Sequence, residues 1–437
     1  MAVHVINEAK RCLNCKKPMC RTGCPINTPI PDMIHAFITG GINDAGQMLF
    51  QNNPLSLVCS LVCNHENQCE GHCVLNRKGS GIHVSSIENY ISDNYLDKLK
   101  PALSPRKNIR CAIIGSGPAG ITIAIILATR GYDVTIFESR DQIGGVLRYG
   151  IPEFRLPKTI LDRYKKLMTA MGIRIRPNTS IGAAIGVDDL FRDEYRSIFI
   201  GTGVWKPNTL GVKGESLGNV HYAIDYLSNP DAYSLGETVN VIGAGNAAMD
   251  VARTALRKGA QNVTVFSRAS TVAASQHETE YAMMDGVSFE YCKAPVELTD
   301  EGAIFREMEE KDDGSFIEIP GTERLFAADS TIISISQGPR SQIVSTTYGI
   351  DVNERGLIIT DANGHTTRRG VFASGDVVKG AKTVVEAVRY SKQVADAMDK
   401  FMREDAAERG QILPPDTAAS LVADAPEAME DFDFGQN

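Results

Sequence analysis

"IRCAIIGSGPAGITIAIILATRGYDVTIFES", residues 109–139, reads as an apolar strand, a glycine turn, an apolar helix and a second strand. That order decides the fold, because a strand–turn–helix–strand unit predicts a parallel sheet flanked by helices. Gly115, Gly117 and Gly120 form GxGxxG, with Ser116, Pro118 and Ala119 completing the turn and opening the helix. The first glycine makes the turn, the second lets a pyrophosphate approach the backbone, and the third allows close helix–strand packing. The helix N-terminus favours the negative charge. Glu138 ends the second strand, 23 residues after Gly115, where a carboxylate can accept hydrogen bonds from a ribose diol. The alternative is a tight turn with no ligand.

The pattern repeats. "TVNVIGAGNAAMDVARTALRKGAQNVTVFSR", residues 238–268, aligns with the first unit from glycines to closing strand. Here Gly243, Gly245 and Ala248 take the glycine positions, with Asn246 and Ala247 between them. Superposing "VTIFES" on "VTVFSR" puts Ser267 where Glu138 stands, with Arg268 next. Loss of the carboxylate and gain of a guanidinium suit a ribose carrying a 2′-phosphate, so this site is expected to take NADPH and the first FAD. The bland alternative is that Arg268 only solvates a strand end.

Outside these units the chain sets limits. At 437 residues, 43% hydrophobic and 22% charged, it is long enough for two or three domains. Its net charge is −8, yet residues 404–437 hold nine acids against Arg409 alone, which leaves the body with 44 charges of each sign. Nothing there predicts a nucleic-acid surface, and the Ala, Pro, Asp and Glu composition predicts a flexible tail. No apolar run is long enough to span a membrane, and the opening MAVHVINEAK lacks the form of a secretory signal, so the expected compartment is the cytoplasm. Residues 30–49 and 87–99 carry helical periodicity, and "KPALSPRKN", residues 100–108, reads as a linker.

Eight of the ten cysteines fall within residues 12–73, spaced Cys12-x2-Cys15-x4-Cys20-x3-Cys24 and Cys59-x3-Cys63-x5-Cys69-x3-Cys73. Cys111 and Cys292 read as small core residues. In a reducing compartment such density points to metal or redox work. Zinc is the alternative, since it also binds Cys-x2-Cys pairs. Against it stand the number of thiols, Pro25 directly after Cys24 as in ferredoxin runs, and the need of a flavin for a one-electron outlet. The reading is two 4Fe-4S clusters; spacing alone does not say which cysteine serves which.

Five ordered motifs, "GSGPAG", "FESRDQIGGVLRYGIPEFRLPK", "FIGTGVWKP", "VIGAGNAAMDVA" and "GVFASGDVVKGAKTVVEAV", together resemble the small (beta) subunit of NADPH-dependent glutamate synthase. The resemblance extends to the flavin half of dihydropyrimidine dehydrogenase and the NADPH subunit of electron-bifurcating transhydrogenases, and covers residues 8 to about 403. It implies an α/β fold: a helical iron–sulfur domain (1–106), then a glutathione-reductase-like FAD domain (107–210 and 335–403) with the NADPH domain (211–334) inserted in it, and the tail 404–437. It also implies that Gly144, Gly145 and Arg148 lie along the flavin, and that Gly375 and Asp376 bind its ribityl–phosphate part. Thr383 and Val384 would start a helix whose positive pole faces the flavin ring. As alternatives, Gly144 and Gly145 could be an ordinary turn and Asp376 an N-cap.

For the clusters the resemblance implies interleaving: Cys12, Cys15, Cys20 and Cys73 hold the first, and Cys24, Cys63, Cys69 and Glu88 the second, leaving Cys59 spare. The simpler arrangement gives each cysteine run its own cluster, and Glu88 would then be a solvated helix-start carboxylate. Asn64 departs from the family's usual proline. The implied function is electron input: NADPH to FAD to 4Fe-4S clusters to a larger partner subunit with its own redox cofactor, with glutamate synthesis requiring that partner. The alternatives are the same module serving a bifurcating complex or a pyrimidine reductase, and, from another class, a zinc-bearing docking protein.

Overall fold

The apolar runs around the first glycine turn fold as their pattern requires. In the computed structural model, which describes residues 2–311 and 315–415, strand Arg110–Ile114 runs into helix Pro118–Thr129 and then strand Asp133–Phe137, with the strands paired in parallel. All twelve helix residues are buried. A helix that is apolar all round needs cover on every side. The sheet covers one face and the long helix Val384–Glu408 another.

The chain divides into two compact units. The first comprises residues 2–147, 153–204 and 339–415. Its parallel sheet has the order Val371–Ala373, Tyr195–Ile200, Arg110–Ile114, Asp133–Phe137, Arg174–Arg176. The chain leaves this sheet after Ile200 and returns to it at Val371, with the second nucleotide fold in between. The same unit holds the cysteine-rich segment: helices Ile30–Thr39, Ile42–Asn52 and Val84–Leu96 pack Met33, Ile34, Leu49, Ile87 and Ile91 into one core, and helix Ser56–Val62 packs on Val84–Leu96. Gly41, at φ 100°, makes the break between the first two.

The stretch expected to be a linker, residues 100–108, is tied down. Ser104 N–H donates to the Thr129 carbonyl at 2.9 Å and Lys107 N–H to the Gly131 carbonyl at 2.9 Å, while the Lys107 ammonium, fully buried, reaches the Arg130 carbonyl. These carbonyls lie at the end of helix Pro118–Thr129 and need donors from outside it. Residues 103–107 therefore form a strap against that end. The long C-terminal helix runs to Glu408, past the expected tail boundary, because Asp405 pairs with Arg196 at 3.1 Å and Ala406 is buried. The rest of the expected tail, from residue 416, lies outside the described residues.

The second unit comprises residues 148–152 and 205–338. Its parallel sheet has the order Val220–Tyr222, Ser330–Ile333, Thr238–Ile242, Asn262–Phe266, Ser288–Glu290. A four-stranded antiparallel layer is built around Gly302–Glu310, and Phe266 stacks on its Phe305 with ring centres 4.0 Å apart. Cys111 is fully buried on its strand, as expected, but Cys292 is half-buried at a turn with φ 53° and is no core residue.

Candidate functional site

In the first glycine turn three positions do three things. Gly115 has φ 97°, and a Cβ there would lie 2.6 Å from the Gly201 carbonyl oxygen. A Cβ on Gly120 would lie 2.0 Å from the Gly115 oxygen. A Cβ on Gly117 would meet nothing within 4 Å. The outer glycines are thus required by the fold, while the middle one leaves open space above the N-terminus of helix Pro118–Thr129, a cradle fit for a pyrophosphate. Gly144 and Gly145 pack on this turn: Gly144 N–H donates to the Ser116 carbonyl at 3.0 Å, and a Cβ on Gly145 would lie 2.8 Å from Gly117 Cα. Gly375, at φ 76°, is also close, its Cβ position 3.2 Å from that of Ala119.

Glu138 is buried beside the cradle, where Oε2 accepts from Ser116 N–H at 2.9 Å and Oγ–H at 2.5 Å, and Oε1 from Arg140 N–H at 2.8 Å and Ser139 Oγ–H at 3.2 Å. Its four lone-pair directions are taken, so a ribose hydroxyl would replace one of the two serine hydroxyls. Asp376 accepts from Lys382 N–H at 3.2 Å, and burial, opposed by that bond and aided by Glu386, pushes its carboxyl up to about 7. Thr383 caps the long helix in a reciprocal box with Glu386, which takes Thr383 N–H at 2.9 Å. The positive pole therefore already carries one carboxylate, leaving the amides of Val384 and Val385 for any other anion. Arg148 belongs to the strip Arg148–Pro152 of the second unit.

The second turn repeats the logic. Gly243 has φ 116° and Cβ room of only 2.2 Å to the Ser334 oxygen, whereas Gly245 is open. Ala248, at the third position, is fully buried inside the helix that starts at Asn246 with Ala247 next. Ser267 Oγ–H donates to the Thr271 carbonyl at 2.7 Å and accepts Ala269 N–H at 3.2 Å, so its hydroxyl shapes the loop. Arg268 is exposed and has no hydrogen-bond or ion-pair partner among the described residues. Sequence reasoning missed that Asn246 Oδ1 accepts Ser275 N–H at 2.9 Å, and that Ala274 N–H bonds the Ala244 carbonyl. These two bonds fold the loop after Arg268 back onto the turn.

The eight clustered cysteines fall into two environments. Cys12, Cys15, Cys20 and Cys73 line one hollow, with Met19, Ile34 and Val84 among its apolar walls. Burial pushes Cys20 up to about 11 and raises Cys12. The neighbouring Cys59 and then burial raise Cys63, and burial raises Cys69, while the charges of Cys24 and Glu88 add to both. Glu88 is 7% exposed, so it is not a solvated helix-start carboxylate; burial, with Glu70 adding, pushes it up to about 8. Its carboxyl has no hydrogen-bond partner among the described residues. His65 Nδ1 lies 3.4 Å from Cys69 Sγ.

Three soft thiols and one unpartnered carboxyl, and four thiols around a hollow, are donor sets that fit iron–sulfur clusters. Among the described residues no group of three or more His, Cys, Asp or Glu side chains is placed to hold a single metal ion. No described helix is long and apolar enough to cross a membrane.

Comparison with known proteins agrees with both halves. Residues 109–391 match the pyridine nucleotide-disulphide oxidoreductase family, and residues 2–99 match dihydropyrimidine dehydrogenase domain II, 4Fe-4S cluster. The glutamate synthase [NADPH] small chain of Halomonas elongata is 33% identical over 429 residues, covering 90% of each chain. That of Escherichia coli is 31% identical over 90% of this chain and 91% of its own. The NAD-dependent dihydropyrimidine dehydrogenase subunit PreT of Salmonella typhimurium is 30% identical, covering 91% of this chain and 94% of its own. Among solved structures, FprA from Mycobacterium tuberculosis has a TM-score of 0.59 at 18% identity, over 70% of this chain and 87% of its own, a likeness of fold. With two glycine cradles on parallel sheets and a cysteine-rich helical segment ahead of them, this chain belongs to the pyridine nucleotide-disulphide oxidoreductases, in the family of the glutamate synthase small chains.

Proposed function

We propose that this chain is the electron-input subunit of a cytoplasmic flavin and iron–sulfur oxidoreductase, with NADPH as donor and the large subunit of a glutamate synthase as partner. The observation that carries the reading is the contrast between two open cradles in one chain: a buried carboxylate, Glu138, beside the first and a free guanidinium, Arg268, beside the second. When bound, FAD supplies hydride acceptance and one-electron release, and two 4Fe-4S clusters supply the outlet.

The protein's own residues bind and orient. Gly117 and Gly245 leave backbone room for the two pyrophosphates, over helix N-termini that favour anions. Glu138 takes a hydroxyl of the first ribose in place of one serine hydroxyl, and Arg268 pairs with a 2′-phosphate. Gly144, Gly145, Arg148, Gly375 and Asp376 line the flavin, and the Val384 and Val385 amides place a positive pole toward it. Cys12, Cys15, Cys20 and Cys73 hold one cluster; Cys24, Cys63, Cys69 and Glu88 hold the other. Protonated at neutral pH in the free protein, Glu88 gives up its proton on ligation.

The purified protein is expected to show flavin bands over a broad iron–sulfur shoulder, and to reduce an artificial acceptor with NADPH much faster than with NADH. Glutamate formation from glutamine and 2-oxoglutarate is expected only when the large subunit is added. A colourless protein, or equal use of NADH, overturns the reading. Its likeness to PreT supports a second partner, a pyrimidine reductase, and reconstitution with each partner in turn separates the two.

A further inference from the structure

Lys392, half-buried in the long helix Val384–Glu408, belongs to neither the nucleotide sites nor the cysteine sites. Its ammonium reaches a residue 340 positions earlier, donating to Asn52 O at 2.6 Å and to Asn52 Oδ1 at 3.2 Å. Asn52 is the last residue of helix Ile42–Asn52, whose final carbonyls need outside donors. Asn52 Nδ2 then donates to Thr28 Oγ1 at 3.1 Å, and Thr28 Oγ1 lies 3.2 Å from Cys24 Sγ.

The direction of this chain of hydrogen bonds follows from chemistry. An ammonium only donates, so the amide oxygen of Asn52 must face Lys392 and its NH2 group Thr28. The Thr28 oxygen accepts that bond and keeps its own proton for Cys24. A ligating thiolate has no proton to offer, so Thr28 must donate to it. We infer that Lys392, through Asn52 and Thr28, is a positioning residue that polarises the Cys24 thiolate and raises the reduction potential of the cluster Cys24 holds. The inference rests on the proposed ligation of a 4Fe-4S cluster by Cys24.

Reduction adds negative charge to a cluster, and hydrogen bonds to its sulfurs and nearby positive charge favour the reduced form. Burial pulls Lys392 down to about 8, with Asp396 and Cys24 acting the other way, so it is a cation at neutral pH. Thr28 is 4% exposed, which keeps water from substituting for its hydroxyl. The long helix begins at Thr383 and Val384, assigned above to the flavin, and so joins both ends of the proposed electron route within one unit.

The test is potentiometric titration of the purified holoprotein, monitored by electron paramagnetic resonance, with iron content measured in parallel. Lys392→Met and Thr28→Val should each lower one cluster potential while the other stays fixed, with iron content unchanged. Loss of one bond to a thiolate corresponds to about a tenfold change in the oxidised-to-reduced ratio at fixed poise, which is 59 mV for a one-electron couple. The double variant should shift by less than the sum, because both substitutions break the same chain, and Lys392→Arg should restore part of the shift. Unchanged potentials in both single variants overturn the inference. So does a shift for Lys392→Met alone, which would mean that the charge acts through space. Wild-type protein without iron–sulfur signals would instead overturn the ligation on which the inference rests. Should Lys392→Met fail to accumulate, Asn52→Leu breaks the same chain at its middle.

Discussion

The two nucleotide units share a backbone and differ at its edges. Both turn through a strained first glycine, and both leave the second open. They part at the third position, glycine in one and buried Ala248 in the other, and at the strand end, where buried Glu138 answers exposed Arg268. After the last strand each passes through a left-handed residue, Gly375 at φ 76° and Ser336 at φ 72°, but the next residue is Asp376 in the first and Gln337 in the second. Under the proposed function the common part would bind what all dinucleotides share, and the differing edges would choose between them.

The strongest way to break this comparison is Gly120→Ala. Its Cβ would meet a backbone oxygen at 2.0 Å that cannot move aside, so overpacking should cost about 3 kcal/mol or more and yield little folded, flavin-bearing protein. The second unit already carries alanine there, so Ala248→Gly should fold. Normal flavin content in Gly120→Ala would mean that the two turns do not differ at this position.

Asp376 should give the first unit a pH dependence that Gln337, at the matching place, cannot give the second. Its folded value of about 7 lies above the ordinary 3.8, so its contribution is fully present below about pH 4 and is lost as pH rises through 7. The loss is on the order of a few kcal/mol in flavin-free protein, and Asp376→Asn should remove that part of the profile in urea unfolding measured between pH 4 and 8, leaving the part due to Glu88. Gln337→Leu should leave the profile unchanged.

Arg268→Ala should weaken NADPH binding about 10- to 150-fold and NADH binding hardly at all, as expected for one charge-assisted hydrogen bond worth roughly 1.5–3 kcal/mol. Titration calorimetry with both nucleotides checks this, and equal losses would make Arg268 structural. The smallest change in stability belongs to Gly117→Ala and Gly245→Ala, whose Cβ atoms meet nothing. Each should melt within about 0.5 kcal/mol of wild type while losing, respectively, FAD and NADPH affinity. A large loss of stability would show that these glycines serve the fold.

Much of this was legible because it is local. A glycine turn between an apolar strand and an apolar helix announces itself in thirty residues, and the repeat supplies its own control. The interruption of the first sheet followed from family likeness rather than from periodicity. What stayed hidden is made by contacts remote in sequence. Residues 100–108 look like a linker because Pro, Ser and Lys predict exposure, yet Lys107 is buried against carbonyls that only the folded helix presents. Glu138 reads as a ribose acceptor, and nothing near it in sequence reveals that Ser116 already fills two of its lone pairs. Likewise no spacing rule joins Lys392 to Asn52.

The strap at residues 103–107 has a consequence for recombination between relatives. Because Ser104 and Lys107 satisfy the end of the flavin-side helix, the iron–sulfur segment is not a cartridge that can be exchanged at a convenient hinge. A chimera spliced at residue 99 would keep the strap with its own helix, whereas one spliced at 108 would have to rebuild it from foreign sequence. The first junction should give stable hybrids, and the second should uncap a core helix.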